Sequence, residues 1–160
     1  MGHRRRASRP TLTRLAVGGA VAALALTGCS VANPITTHRD YAASDGVILD
    51  VGDVRLGNAI VLTSAEGAAG TLVGYVSNRA DDEVEVSIRV ADADTTTFRV
   101  PGGRTVRLGP DADEAVDVAA VPAAPGSKVE VTLGSGRDGE VTDVVPVMDG
   151  TLEEYADLVP

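Results

Sequence analysis

Tryptophan is absent from this chain of 160 residues, phenylalanine occurs once and cysteine once. Lysine is nearly absent too, since Lys128 is the only one. Each scarcity excludes something. A lone cysteine forms no disulfide within one chain, so no covalent framework stabilises the fold. The two histidines are His3 and His38 and the two methionines are Met1 and Met148. None of the histidines lies beyond residue 38, so Cys-His and Ser-His-Asp arrangements and a zinc centre lack their residues in the main body of the chain. Without tryptophan there is little stacking surface for a sugar, which weighs against a glycosidase-like carboxylate pair. The longest apolar run, Leu15 to Leu26, falls well short of the roughly 20 residues that span a bilayer.

What is present begins with a basic leader. Arg4, Arg5, Arg6, Arg9 and Arg14 precede the apolar run, and small residues follow it. A positive start, a short apolar segment and small residues before a cut describe a secretory signal peptide over residues 1–28. Leu26-Thr27-Gly28-Cys29 resembles the lipobox of bacterial lipoproteins. That resemblance implies cleavage between Gly28 and Cys29 and a diacylglycerol on the Cys29 sulfur. Two acyl chains are what stable anchoring requires. The alternative for a lone cysteine, a small buried hydrophobe, does not suit a position at the end of a leader. The Arg4-Arg5-Arg6 run leaves twin-arginine export open beside the general secretory route.

Removing the leader takes five of the 14 basic residues and none of the 23 acidic ones, leaving a formal net charge of −14. A surface that acidic is repelled by phosphate backbones, so no nucleic-acid partner is expected. The expected address is the extracytoplasmic face of the cell membrane, reached through the lipid on Cys29. Residues 29–45 hold the lipidated cysteine and a Ser, Thr, Asn and Pro-rich tether that spans roughly 20–25 Å. His38 lies in this tether, where a histidine is solvated.

From Val47 onward the apolar period is two. Val84, Val86, Ile88 and Val90 alternate with Glu83, Glu85, Ser87 and Arg89, the pattern of an antiparallel strand with one solvated face. Similar alternation marks Val47 to Val51, Val54 to Leu62, Thr71 to Ser77, Thr96 to Val100, Val106 to Leu108, Val129 to Leu133 and Val141 to Val147, with a short edge at Val116 and Val118. Gly52-Asp53 either separates two strands or bends one. These segments predict an all-β domain over residues 46–148, a single Ig-like or cupredoxin-like antiparallel β-sandwich of about 7–8 strands. Phe98 and Tyr75 would be the larger members of an aliphatic core.

Two stretches resemble a known family. Val100-Pro101-Gly102-Gly103-Arg104-Thr105-Val106-Arg107-Leu108 is similar to a strand-turn-strand of PCuAC-type periplasmic copper chaperones. Pro125 to Leu133 followed by Gly139 to Val147 is similar to that family's closing hairpin. The layout also resembles LpqE-like actinobacterial lipoproteins. The family implies Cu(I) held by His and Met side chains, because soft thioethers and imidazoles suit that ion. Between Leu108 and Pro125, where it places a His-x-Met pair, this chain has Asp111-Ala112-Asp113-Glu114-Ala115-Val116-Asp117-Val118. No metal site and no cofactor are therefore expected. Calcium through Asp92 and Asp94 or Asp111 and Asp113 is the alternative, although neither segment has the glycine and terminal glutamate of an EF-hand.

In the tail, residues 149–160, Leu152, Tyr155 and Leu158 fall three apart. They would either dock back over an edge strand or be offered to a partner as a short helical motif. The expected function is a non-enzymatic binding or interaction module of the cell envelope, with an envelope protein as partner. Metal handling, copper-chaperone-like or calcium-binding, is the alternative.

Overall fold

The computed structural model describes residues 45–160. Cys29, Gly28 and His38 lie outside the described residues.

Nine strands follow in order: β1 (Val47–Val51), β2 (Val54–Thr63), β3 (Gly70–Asn78), β4 (Val84–Val90), β5 (Thr96–Val100), β6 (Thr105–Leu108), β7 (Asp117–Val118), β8 (Lys128–Ser135) and β9 (Gly139–Met148). The all-β expectation holds. The count exceeds the expected 7–8 because Gly52-Asp53 closes a true hairpin, with Val51 opposite Val54, and because the two-residue β7 counts as a strand. Gly52 has φ of 56°, which a two-residue hairpin turn needs and glycine adopts without steric cost.

The hydrogen-bonded path runs β5-β4-β8-β9-β2-β3-β6, with β1 also on β2 and β7 also on β3. Strand β9 joins the two layers. Its Gly139–Pro146 stretch pairs antiparallel with β8, whereas Val147 and Met148 pair parallel with Val61 and Leu62 of β2. That short parallel pairing is the one exception among the named strand pairs of an otherwise antiparallel sandwich. The path folds back so that the inner faces of both layers share one core, including Leu56, Leu72, Val76, Ile88, Val131 and Leu133. Each such fully buried side chain contributes roughly 1.5–3 kcal/mol relative to exposure. Phe98 joins this core, but Tyr75 does not. Tyr75 lies opposite Gly57 in the register, and its ring occupies the space where a Cβ on Gly57 would stand. Leu72 and Val76 of β3 face the core and Val73 the outer patch, so alternation puts Tyr75 on the outer face.

Strand β2 changes phase at a bulge. Val54 and Leu56 face the main core, but beyond Asn58 the inward residues are Ala59 and Val61. The register with β3 shifts between Gly57 and Ile60, and Asn58 has φ of 51°. One extra residue in a period-two strand sends the following side chains to the opposite face. Asn58 is suited to that conformation, and its Oδ1 accepts a hydrogen bond from the Gly46 amide at 3.1 Å. The consequence is that Ile60 and Leu62 point outward, yet both are fully buried.

A second asparagine fixes a corner. Asn78 is 1% exposed; its Nδ2 donates to Asp82 O (2.8 Å) and Val100 O (3.0 Å), and its Oδ1 accepts from the Ala80 amide (3.0 Å). This ties the β3–β4 turn to the end of β5. On the exposed side of β1 and β2, Arg55 makes two 2.9 Å hydrogen bonds to the two oxygens of Asp50.

The bulge generates a prediction. Asn58→Val, a β-branched side chain forced to positive φ, is expected to cost about 1–3 kcal/mol. Asn58→Gly should cost measurably less, because it keeps the backbone conformation and loses only the Gly46 contact. Urea midpoints of the two variants read the difference; equal losses would mean that backbone conformation is not the constraint.

Candidate functional site

The two ends of the sandwich differ in charge. At one end lie the turns that follow β1, β3, β5 and β8, and some of the acids there pair with arginines. Asp50 pairs with Arg55 and Arg79, Glu83 with Arg99, and Asp82 with Arg137. The Asp50 carboxyl is held below its ordinary value, first by the Arg55 hydrogen bond. The opposite end carries the turns after β2 and β4, the long segment around β7, and the tail. Here a cleft of about 960 Å³ opens.

Four stretches wall the cleft: Ala69 and Gly70 at the start of β3, the Ala91–Asp94 turn after β4, parts of residues 110–122, and parts of residues 157–160. Local hydrogen bonds hold these walls. Thr71 Oγ1 donates to Val116 O at 3.3 Å and the Leu72 amide to the same carbonyl at 2.9 Å, which fixes the segment entering β7. The Val121 amide bonds Ala68 O and the Gly67 amide bonds Val121 O, both at 2.8 Å, closing the loop after β2 onto it. Thr63, fully buried, donates from Oγ1 to Ala69 O at 2.8 Å. Ala91 has φ of 48°, an uncommon conformation for a residue with a Cβ, and its amide bonds Glu130 O at 2.8 Å.

The lining is chemically simple. Val90, Ala93, Ala115, Val118 and Leu158 supply apolar surface. Asp92, Asp94, Asp117 and Asp157 supply carboxylates, and the described lining includes no lysine or arginine. All four aspartates are exposed. None has an ion-pair or side-chain hydrogen-bond partner among the described residues.

The sequence-derived acidic pairs are thus sorted. Asp92 and Asp94 reach the cleft, but Asp111 and Asp113 do not. Asp113 accepts from the Arg107 amide at 2.9 Å and pairs with its guanidinium at 3.6 Å. Asp81 and Asp82 belong to the arginine-rich end. Among the described residues, no group of three or more His, Cys, Asp or Glu side chains is placed to hold a metal ion. Met148 does not line the cleft; it packs against the outward patch of Ile60, Leu62 and Val73. Asp117 and Asp157 were missed because nothing local marks them; only the fold brings them beside Asp92.

The tail docks, but not over an edge strand and not as a helix. Tyr155, Leu158 and Val159 cover Ile60, Leu62 and Val73 on the outer face of β2 and β3. Leu152, expected on the docking face, is 42% exposed. The tail is a run of turns, with the Tyr155 amide on Leu152 O and the Leu158 amide on Tyr155 O, each at 3.0 Å. Tyr155 Oη donates to Asp45 Oδ2 at 3.3 Å. Partial burial, followed by the charge of Asp45, raises the Tyr155 phenol above its ordinary 10.0.

No family model and no curated protein matches this sequence. Solved structures that share the fold include two PCuAC domains. One is described as the copper-bound PCuAC domain from PmoF2, at 20% identity and a TM-score of 0.51, covering 64% of this chain and 98% of that one. The other is the apo PmoF2 PCuAC domain, at 19% identity and a TM-score of 0.52, covering 66% of this chain and 98% of that one. At this identity the likeness establishes the fold: the protein is an all-β domain with the PCuAC architecture, as the two sequence stretches implied.

The phenol predicts how the tail responds to pH. Because the folded value lies above the unfolded one, the docked tail binds the proton more tightly. Its contribution is complete below about pH 10 and is lost as pH rises through the folded value. Protection factors of the 155–159 amides, referenced to base-catalysed exchange of the unfolded chain, should therefore fall at alkaline pH before those of the core strands. In Tyr155→Phe this pH-dependent step should vanish, and its persistence would assign the step to another group.

Proposed function

We propose that this protein is a membrane-anchored extracytoplasmic lipoprotein whose β-domain is a non-catalytic binding module of the cell envelope. The anchor rests on the leader and on Leu26-Thr27-Gly28-Cys29, with cleavage before Cys29 and a diacylglycerol on its sulfur. The resemblance to LpqE-like lipoproteins supports the same assignment. The single observation that carries the binding reading is the cleft of about 960 Å³, walled by four separate stretches of chain, with aspartates and aliphatic side chains in its described lining. It is within the size range of small-ligand sites, about 300–1,000 Å³. The net charge of the processed chain disfavours nucleic acid, and an envelope molecule within reach of the tether is the partner class that remains.

Metal handling is the second reading, favoured by the copper-bound state of one structural neighbour. The donors differ, however. Copper(I) prefers sulfur and imidazole, whereas the side chains available in this cleft are carboxylates.

Growth with an alkyne-bearing fatty acid tests the anchor. The wild-type protein should take up label and sediment with membranes, and Cys29→Ala should do neither; a labelled, membrane-bound Cys29→Ala protein would contradict the assignment. Copper retained through desalting and lost in His38→Ala would move the assignment to metal handling, whereas the proposed module retains none.

A further inference from the structure

Every polar side chain in the described lining of the cleft is an aspartate; no hydroxyl, amide, imidazole, guanidinium or ammonium group is among them. A polar ligand is ordinarily fixed by a few placed donors and acceptors. An ionised carboxylate accepts hydrogen bonds and donates none, so these side chains offer a sugar, nucleotide or peptide no donor. The remaining lining is aliphatic or glycine, and much of it is open to water. Ala115, Ala119, Ala120, Pro110 and Pro122 are exposed on one wall, above the buried Val90 and Val118. Apolar surface gathered in one exposed place marks an interaction site. What it recognises is hydrocarbon, by removing it from water. No aromatic ring is present to stack on a planar group, so the fitting ligand is an aliphatic chain.

The source of that chain follows from where the tether meets the domain. Asp45, the first described residue, accepts a hydrogen bond from Tyr155 Oη at 3.3 Å. Tyr155 belongs to the tail, and three residues further on Leu158 both lines the cleft and packs on the outer patch of β2 and β3. The tether therefore joins the domain beside a cleft wall. Its reach of roughly 20–25 Å keeps the cleft close to the bilayer that holds Cys29. A supply of acyl chains lies within that reach. The headgroup is constrained by charge. The processed chain carries a formal −14 and the lining adds only carboxylates, so an anionic headgroup is repelled. An uncharged headgroup with hydroxyls can donate to those carboxylates instead.

Resting on the lipoprotein and binding-module reading, we infer that the cleft takes the acyl chain of an uncharged, hydroxyl-bearing glycerolipid from the membrane that anchors the protein. The chain lies along the alanine, valine and proline walls. The tail supplies one of those walls through Leu158, so the segment that covers the outer patch of β2 also completes the site.

The test is photolabelling of the mature lipoprotein in phosphatidylcholine vesicles that contain a monoacylglycerol with a diazirine on its acyl chain. Label is expected on the peptides that wall the cleft, within residues 90–94, 115–122 and 157–160. Ala115→Trp and Ala120→Trp each fill the cleft from an exposed lining position and should cut that labelling about tenfold or more. An unchanged Tm shows that both variants fold. Thr97→Trp, exposed on β5 and outside the cleft lining, should leave the labelling unchanged. The same diazirine chain on a glycerol phosphate should label the cleft more weakly. Label scattered over the whole surface, label indifferent to both cleft tryptophans, equal label from the phosphate form, or no label at all would each overturn the inference. Cys29→Ala, added to the same vesicles from solution, should still take label in the cleft. Cleft label on a Cys29→Ala protein that stays membrane-bound would contradict the anchor and support the lipid site. An anchored wild-type protein without cleft label would contradict the lipid site and leave the anchor in place.

Discussion

One extra residue in β2 governs the architecture. The bulge at Asn58 reverses the phase of the strand, so Val54 and Leu56 before it and Ala59 and Val61 after it all face the main core. Ile60 and Leu62 are thereby turned to the outer face. Outward apolar side chains on a sheet demand a cover. The tail provides it, with Tyr155, Leu158 and Val159 laid over the patch. Because β2 also receives β9 beside Val61 and Leu62, the same short stretch links the two layers. Layer closure, tail docking and the cleft wall at Asp157 and Leu158 all trace to it.

That dependence explains which features were legible in the sequence. The period-two valine pattern announces the strands and the inner core, and β4 with its Val84, Val86, Ile88 and Val90 is buried on the expected face. The turn glycines and the resemblance to PCuAC domains indicated the architecture that the structure shows. The bulge was signalled by Gly57-Asn58 inside a strand pattern, followed by the unbroken apolar run Ala59 to Leu62. An unbroken run marks a strand covered on both faces rather than one. Reading Tyr155 and Leu158 against that run, in place of an edge strand, would have located the tail. Leu152 misled because spacing of three suggests a helical face, whereas the tail is built of turns.

The cleft was not legible for a different reason. Its carboxylates come from the β4–β5 turn, β7 and the tail, segments far apart in the chain, and no local motif links Asp92 to Asp117 or Asp157. Sequence spacing paired Asp111 with Asp113 instead, and Asp113 is occupied by Arg107. Only topology shows that Asp92, Asp94, Asp117 and Asp157 line one cleft. The fold shared with PCuAC domains therefore fixes a scaffold, and the donor set that this chain presents is a separate matter. Carboxylates over an aliphatic floor and thioether-imidazole sets serve different ligands.

The central claim is that this domain binds a ligand in that cleft. Native mass spectrometry of the protein extracted from its own membranes tests it most directly. The account predicts an additional mass that denaturation removes and that Ala120→Trp, which fills the cleft from an exposed lining position, abolishes. A bare protein mass, or an added mass unchanged by Ala120→Trp, would contradict it.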